Sequence, residues 1–166
     1  LFNTHFSNPT GLPATDHYST ALDLAHLAIH TINDFPEYYK WYSIKSFTYN
    51  RIKQYNRNVL IWKTDYVDGL KTGFTQNAGY CLIASGKKQD SRYIVVLMGE
   101  PSNKRRFTDA QTLFSYGFRF FHTVPVIKQN EVLIHLPVYY GMNNKIDLGV
   151  DKTIYKTLTH TQKNHI

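Results

Sequence analysis

Asp68-Gly69-Leu70-Lys71-Thr72-Gly73-Phe74-Thr75 stands just ahead of two β-rich runs, Gly79 to Ser85 and Arg92 to Met98, joined by the polar stretch Gly86 to Ser91. Asp68-Gly69 reads as a hairpin-type turn, Leu70 to Thr75 as an extended run leaving it, and the two later runs as a hairpin. Within the first run, Lys71 offers a positive charge and Thr72 a hydroxyl donor, while Gly73 has no side chain. At a strand edge such a tripeptide lets a peptide backbone lie alongside by strand addition. Charge-assisted hydrogen bonds from Lys71 and Thr72 would hold an anionic peptide end. A solvent-exposed edge protected by a lysine has the same letters, so the tripeptide needs its context.

Helical patterns flank this sheet. After Pro101, Ser102 is placed to cap a long helix whose Phe107, Ala110, Phe114, Phe118 and Phe121 keep helical spacing and mark a core face. Upstream, Thr20 and Asp23 have capping-box spacing, and Leu22, Ala25, Ile29 and Ile32 predict one buried face of a helix over 19–32. Residues 1–18 are turn-rich, and 43–66 read as extended pieces, Ser46 to Tyr49 and Val59 to Trp62, joined by polar loops. Composition changes near His122. Val124 to His135, Ile146 to Val150 and Thr153 to Leu158 then read as short strands separated by turns at Gln129-Asn130, Tyr140-Gly141 and Asp151-Lys152, the opening of a second, β-rich module. The expectation is two domains, 1–122 and 123–166.

Lys and Arg number 19 against 12 Asp and Glu, a formal charge of +7, and 15% of the 166 residues are aromatic. That aromatic load excludes a disordered tail, and a single cysteine, Cys81, excludes an intrachain disulfide framework. No stretch approaches the ~18–20 apolar residues of a membrane span. The chain opens at Leu1-Phe2-Asn3-Thr4 without a Met or a signal segment, and reads as a piece of a longer protein.

Thr4-His5-Phe6-Ser7-Asn8-Pro9-Thr10-Gly11-Leu12, His17 to Ala25, Asn56-Arg57-Asn58 to Trp62, Asp68 to Thr75, Ala78-Gly79-Tyr80 and Tyr116 to Phe121 occur in an order that closely resembles the serine D-alanyl-D-alanine carboxypeptidases, the low-molecular-mass penicillin-binding proteins. Pro137 to Gly141 and Leu148 to Lys152 resemble the start of that family's β-rich second domain. The resemblance implies an α+β, penicillin-binding/β-lactamase-like domain, an antiparallel sheet packed with helices, incomplete at its N-terminus. It implies hydrolysis of the terminal D-alanine of peptidoglycan pentapeptides through an acyl-serine intermediate, with β-lactams acylating the same serine.

That family carries S-x-x-K, S-x-N and K-T-G motifs. Only K-T-G is present in a fitting context. Ser85-Gly86-Lys87-Lys88 matches S-x-x-K by letter but follows a strand instead of opening a helix, and no Ser-x-Asn occurs. The nucleophile serine and its lysine are therefore expected to be absent, and the isolated chain to be inactive. Carried over by motif, Lys71 and Thr72 would bind the substrate carboxylate, Gly73 would admit its backbone, and the N–H of Phe74 would form half of an oxyanion hole. Arg57 and Arg106 would stand near the carboxylate. Two positions depart from the family pattern, Phe74 and Thr10, where His is frequent.

No metal or organic cofactor is implied; His26 and His30 are four apart on a helix but lack the glutamate of H-E-x-x-H. Cys81 is expected to be an inert strand thiol, and Arg105 a surface charge. The resemblance further implies a periplasmic place on the outer face of the bacterial inner membrane, held peripherally. Homodimerisation, or pairing with the missing N-terminal segment, would cover exposed faces. Two rival readings are a non-catalytic wall-binding relic and a single-stranded nucleic-acid-binding module. The latter rests on aromatics interleaved with Lys40, Lys45, Arg51, Lys53, Arg57 and Lys63.

Overall fold

The computed structural model describes residues 1–163. The chain divides into two compact units, the first from Leu1 to Arg119 and the second from Phe120 onward. The break falls three residues ahead of the boundary read from composition.

In the first unit, helix α1 (Ala21–Asp34) begins where Thr20 caps it by accepting the Asp23 N–H at 3.2 Å. Pro36 ends that direction and opens a single turn, α2 (Pro36–Tyr39), which tightens into a 3-10 turn at Lys40–Ser43. Strands β1 (Ser46–Tyr49) and β2 (Ile52–Tyr55) form a hairpin across Asn50 and Arg51, both with positive φ. Strand β2 was not anticipated, because its turn contains no glycine; Asn50 supplies the left-handed conformation instead.

Val59 to Trp62, expected to be extended, is instead the short helix α3 (Leu60–Lys63). The Asn58 side chain sets it up by accepting the Leu60 N–H, and the Thr64 hydroxyl closes it on the Leu60 carbonyl. Leu60 and Ile61 are both buried, and a short apolar run alone does not separate a strand from a buried helical turn. Asp68-Gly69, expected to turn, lies inside strand β3 (Val67–Thr75), where the register shifts between Val67 and Gly69. The Tyr39 ring packs against Gly69 so closely that a Cβ there would come within 2.7 Å of its hydroxyl.

Strand β3 pairs antiparallel with β4 (Gly79–Lys88), which pairs antiparallel with β5 (Ser91–Glu100), giving the order β3-β4-β5 with β3 at an edge. Period-two alternation splits the core into two layers. Leu82, Ala84 and Val95 meet Phe107, Ala110 and Phe114 of helix α4 (Asn103–Phe120), together with Leu60, Ile61 and Val67. Ile83 and Ile94 face the other way, toward Ala28, Ile32, Tyr39 and Leu70. Ser102 Oγ accepts the Arg105 N–H at the start of α4, as its position predicts. Phe121, assigned to the helical face from spacing, belongs to the following strand.

The expected buried stripe of α1 is corrected as well. Ala28 and Asp23 are buried and Ile32 is half-buried, but Leu22 is 66% and Ile29 41% exposed. The helix packs through its small residue, which permits close approach to the sheet, and its bulky ones lie to the side.

The second unit holds β6 (Phe121–Ile127), β7 (Val132–Pro137), β8 (Lys145–Gly149), β9 (Ile154–Thr159) and the short α5 (His160–Lys163). Strand β6 pairs with β9 and β7 with β8, all antiparallel. The turn read at Gln129-Asn130 separates β6 from β7, and Asn130 there has positive φ. Among the described residues no helix is long and apolar enough to cross a membrane.

Candidate active site

Arg57 is held between two locked asparagines. Asn56 Nδ2 donates to the carbonyls of Tyr42 and Ile44 at 3.0 Å each, and Asn56 Oδ1 accepts the Asn58 N–H. Asn58, 1% exposed, donates from Nδ2 to the Gly69 carbonyl, tying this turn to β3. Between them Arg57 is exposed and lines a groove of about 600 Å³ beside β3.

Lys71, Thr72, Gly73, Phe74 and Thr75 form one wall of that groove. Lys71 and Gly73 are exposed and Thr72 is buried, as alternation on an edge strand requires. Gly73 is not demanded by packing, since a Cβ there would meet only the Cβ of Cys81, at 3.7 Å. The side it leaves bare is the groove.

Arg106 fixes which main-chain groups of β3 point outward. Its Nη1 donates to both the Gly73 and the Cys81 carbonyl, at 2.9 and 3.2 Å. Gly73 and Cys81 are cross-strand partners, and one nitrogen reaches both oxygens only if they point into the space between the two strands. Antiparallel pairs alternate, so the neighbouring Thr72 carbonyl and Phe74 N–H then point away from β4, off the free edge. The Lys71 ammonium, turned back onto the Thr72 carbonyl, agrees with that direction. Arg106 itself is only 6% exposed, and burial pushes its pKa down. It is not among the residues that line the groove with Arg57, and its guanidinium lies against the rings of Tyr80 and Phe107. Its buried Nε has no hydrogen-bond partner among the described residues.

The opposite wall is the loop 6–12. Asn8 Oδ1 accepts the N–H groups of Thr10 and Gly11 and the Thr10 hydroxyl, while its Nδ2 donates to the Leu12 carbonyl. Ser7 donates its N–H to His17 Nδ1. Asp23 anchors the strand leading into this loop, accepting from the N–H groups of Phe2 and Asn3 and from the Thr4 hydroxyl, at 3.3, 2.8 and 2.7 Å. Those donors hold its carboxyl below the usual carboxylate range, the Thr4 hydroxyl foremost. Phe6, Leu12 and His17, which line the groove, carried no periodic signal, because loop residues meet a site through hydrogen-bonded turns.

The entry to β3 is fixed by ion pairing. Arg92 grips Asp68 bidentately, Nη1 to Oδ1 at 2.9 Å and Nη2 to Oδ2 at 2.7 Å, and Tyr39 donates to Asp68 Oδ1 at 2.6 Å. Burial, then the Asp68 carboxylate, pushes the Tyr39 hydroxyl well above its ordinary value. Ser85, the serine of the S-x-x-K look-alike, is fully buried and hydrogen-bonded to Arg92. Lys88 lies over the rings of Tyr66 and Phe118, at 4.2 and 5.0 Å. This pair therefore offers no nucleophile.

The remaining sequence candidates lie elsewhere. His30 is paired with Asp34 on the exposed side of α1, and Cys81 is a half-buried free thiol. Of the basic and aromatic stretch, Lys45 lies over Trp62 and Lys53 over Tyr55, so two of its cations stack on the protein's own rings.

A free sheet edge with a cation, a hydroxyl and outward main-chain groups shares one groove with a second cation, Arg57, a set of groups suited to an anionic ligand. The chain belongs to the D-alanyl-D-alanine carboxypeptidase family, peptidase S11, whose sequence profile matches residues 1–102. It is 45% identical over 151 residues to the D-alanyl-D-alanine carboxypeptidase DacA of Haemophilus influenzae, covering 90% of this chain and 38% of that protein. The solved penicillin-binding protein 5 of Haemophilus influenzae superposes with a TM-score of 0.85 at 40% identity, over 97% of this chain and 47% of that one. Penicillin-binding protein D2 of Listeria monocytogenes in its ampicillin-bound form matches 70% of this chain and 49% of its own, at 32% identity and a TM-score of 0.65. The chain thus spans about two fifths of the length of the curated relatives it matches.

Proposed function

We propose that residues 1–122 are the K-T-G-bearing part of a serine-type D-alanyl-D-alanine carboxypeptidase, and that 123–166 open its β-rich second domain. The substrate is a peptidoglycan stem peptide ending in D-Ala-D-Ala, and β-lactams are the inhibitors that occupy the same groove. The observation that carries this reading is the outward pair on the free edge, the Thr72 carbonyl and Phe74 N–H, in a groove that Lys71 and Arg57 also line. A peptide adding to β3 pairs with these groups, and its terminal carboxylate is held by Lys71, Thr72 and Arg57. Gly73 leaves room for that backbone. The Phe74 N–H serves as an oxyanion-hole donor, typically worth ~3–4 kcal/mol once a nucleophile stands beside it. Arg106 acts as a positioning residue, aligning the carbonyls of Gly73 and Cys81 so that the Phe74 N–H faces the ligand.

The serine and lysine that would form the acyl intermediate are not in this groove, so the chain alone is expected to be unreactive. On the same reading, and as the family resemblance implies, the whole protein takes a periplasmic place on the outer face of the inner membrane, attached peripherally. Pairing with an upstream segment or a second copy would cover its exposed apolar faces. The test is labelling with a fluorescent penicillin. The 166-residue chain should stay dark, and adding the upstream segment of the gene, in cis or as a second chain, should restore labelling that Lys71→Ala removes. Labelling of the isolated chain, or labelling indifferent to Lys71, overturns the proposal.

A further inference from the structure

Arg57 stands between two asparagines in which every nitrogen and oxygen is hydrogen-bonded. Asn56 donates its N–H to the Lys45 carbonyl at 2.8 Å and its Nδ2 to the carbonyls of Tyr42 and Ile44, while its own carbonyl accepts from Trp62 Nε1. Its Oδ1 accepts the Asn58 N–H at 2.9 Å, closing the turn around Arg57. Asn58 accepts the Leu60 N–H on Oδ1 at 3.2 Å and the Ile61 N–H on its carbonyl at 3.3 Å, and donates from Nδ2 to the Gly69 carbonyl at 3.0 Å. A turn whose donors and acceptors are all satisfied holds one shape before any ligand arrives. The Arg57 side chain leaves that turn exposed, in the groove that Lys71 also lines.

The bond to Gly69 shortens the path between these two cations. Along the chain, α3 and the start of β3 lie between Arg57 and Lys71. Across the bond, Asn58 directly follows the one, and only Leu70 separates Gly69 from the other. Asn58 is 1% exposed, a place where an unbonded amide is costly and where an apolar side chain would fill space without reaching Gly69. Strand β3 is paired on one side only, so a tie from outside the sheet bears on where Lys71 stands. Two cations gripping one carboxylate need set places, and a loose support loses affinity even when each charge remains.

We infer that Asn58 is a positioning residue, its buried amide joining the Arg57 turn to β3 so that Arg57 and Lys71 meet one carboxylate as a preset pair. This rests on reading the groove as a carboxylate site, and the test separates the two. N-acetyl-D-alanyl-D-alanine and its C-terminal amide differ in the carboxylate alone, and their dissociation constants on the 166-residue chain are compared by NMR chemical-shift titration. The acid should bind about tenfold tighter than the amide. Asn58→Ser keeps an oxygen for the Leu60 N–H and loses the donor to Gly69. It should lower that preference to about threefold, as Arg57→Ala does, and the double variant should lower it no further. A purely structural Asn58 would weaken both ligands equally and leave their ratio intact. The parent preference in folded Asn58→Ser, or losses that multiply in the double variant, overturns the positioning role. If Arg57→Ala leaves the preference unchanged while Lys71→Ala abolishes it, the role also fails and the carboxylate reading stands on Lys71. A parent ratio near one, or binding of neither ligand, removes both. Should Asn58→Ser not fold, the parent chain decides. Amide order parameters at 56–58 should then reach those of rigid backbone, about 0.85, and values below about 0.6 overturn the role.

Discussion

Gly73 separates what the protein needs from what a ligand needs. A Cβ fits there at ordinary contact distance from Cys81, so Gly73→Ala should change stability by no more than about 1 kcal/mol. The same methyl adds bulk to the groove that Gly73 lines, and ligand affinity should fall by about tenfold or more, measurable in the reconstituted protein by penicillin labelling. Arg106 is the opposite case. Its truncation strips a charged donor from two partly buried carbonyls, and Arg106→Ala should cost about 2 kcal/mol in urea unfolding. A variant as stable as the parent would remove it as a support of β3.

Strand β3 has a neighbour on one side only, so its position depends on ties at its ends. The Asp68–Arg92 fork is the strongest of these, and both side chains are about two-thirds buried. Arg92→Ala leaves a half-buried carboxylate and an unpaired Ser85 hydroxyl, and should destabilise the first unit by about 3 kcal/mol. Amide exchange at Lys71 and Gly73 should rise before that of β4 and β5. The loop facing β3 depends on Asp23. Its pKa is lowered in the folded state, so its contribution is complete above the unfolded value, near 4, and is lost as pH falls through the lower folded value. Asp23→Asn should therefore flatten the acid limb of the stability–pH profile while leaving its alkaline limb alone. Tyr39 behaves in the reverse sense. Its raised value adds stability below the ordinary tyrosine range that fades as pH rises beyond about 10, and Tyr39→Phe should remove that fade.

Across the molecule, apolar side chains remain in water on several elements. Trp41, Phe47 and Tyr55 line a groove of about 610 Å³ at the β1–β2 hairpin, and Leu22, Leu27 and Ile29 stand out from α1. Together with the open β3 edge they predict self-association of the 166-residue chain at micromolar concentration, read by light scattering. A monodisperse monomer at that concentration would count against it. These faces were expected from the sequence to be a covered stripe on α1 and ordinary strands. Periodicity reports that a face is apolar, whereas what covers it depends on which elements arrive, and Leu22 and Ile29 find none here.

The sequence was most legible where local chemistry decides structure. Thr20 and Ser102 cap their helices as their positions require, the Gly79–Met98 hairpin follows β-branched alternation, and Phe107, Ala110 and Phe114 form a core face. Lys71-Thr72-Gly73 could be singled out because its side chains alone suit an anionic peptide. By itself, then, the sequence determined the elements of the sheet, its helical cover, and the tripeptide on one of its strands. Only the tertiary structure decided that β3 is the free edge, that Arg57 lines the groove while Arg106 bonds the carbonyls of Gly73 and Cys81, and that Phe6 and Leu12 line the same groove. Those facts depend on long-range pairing and on hydrogen bonds between side chains and distant main-chain groups, such as Asn58 to Gly69 and Arg106 to Gly73. Residue order carries no period that announces them.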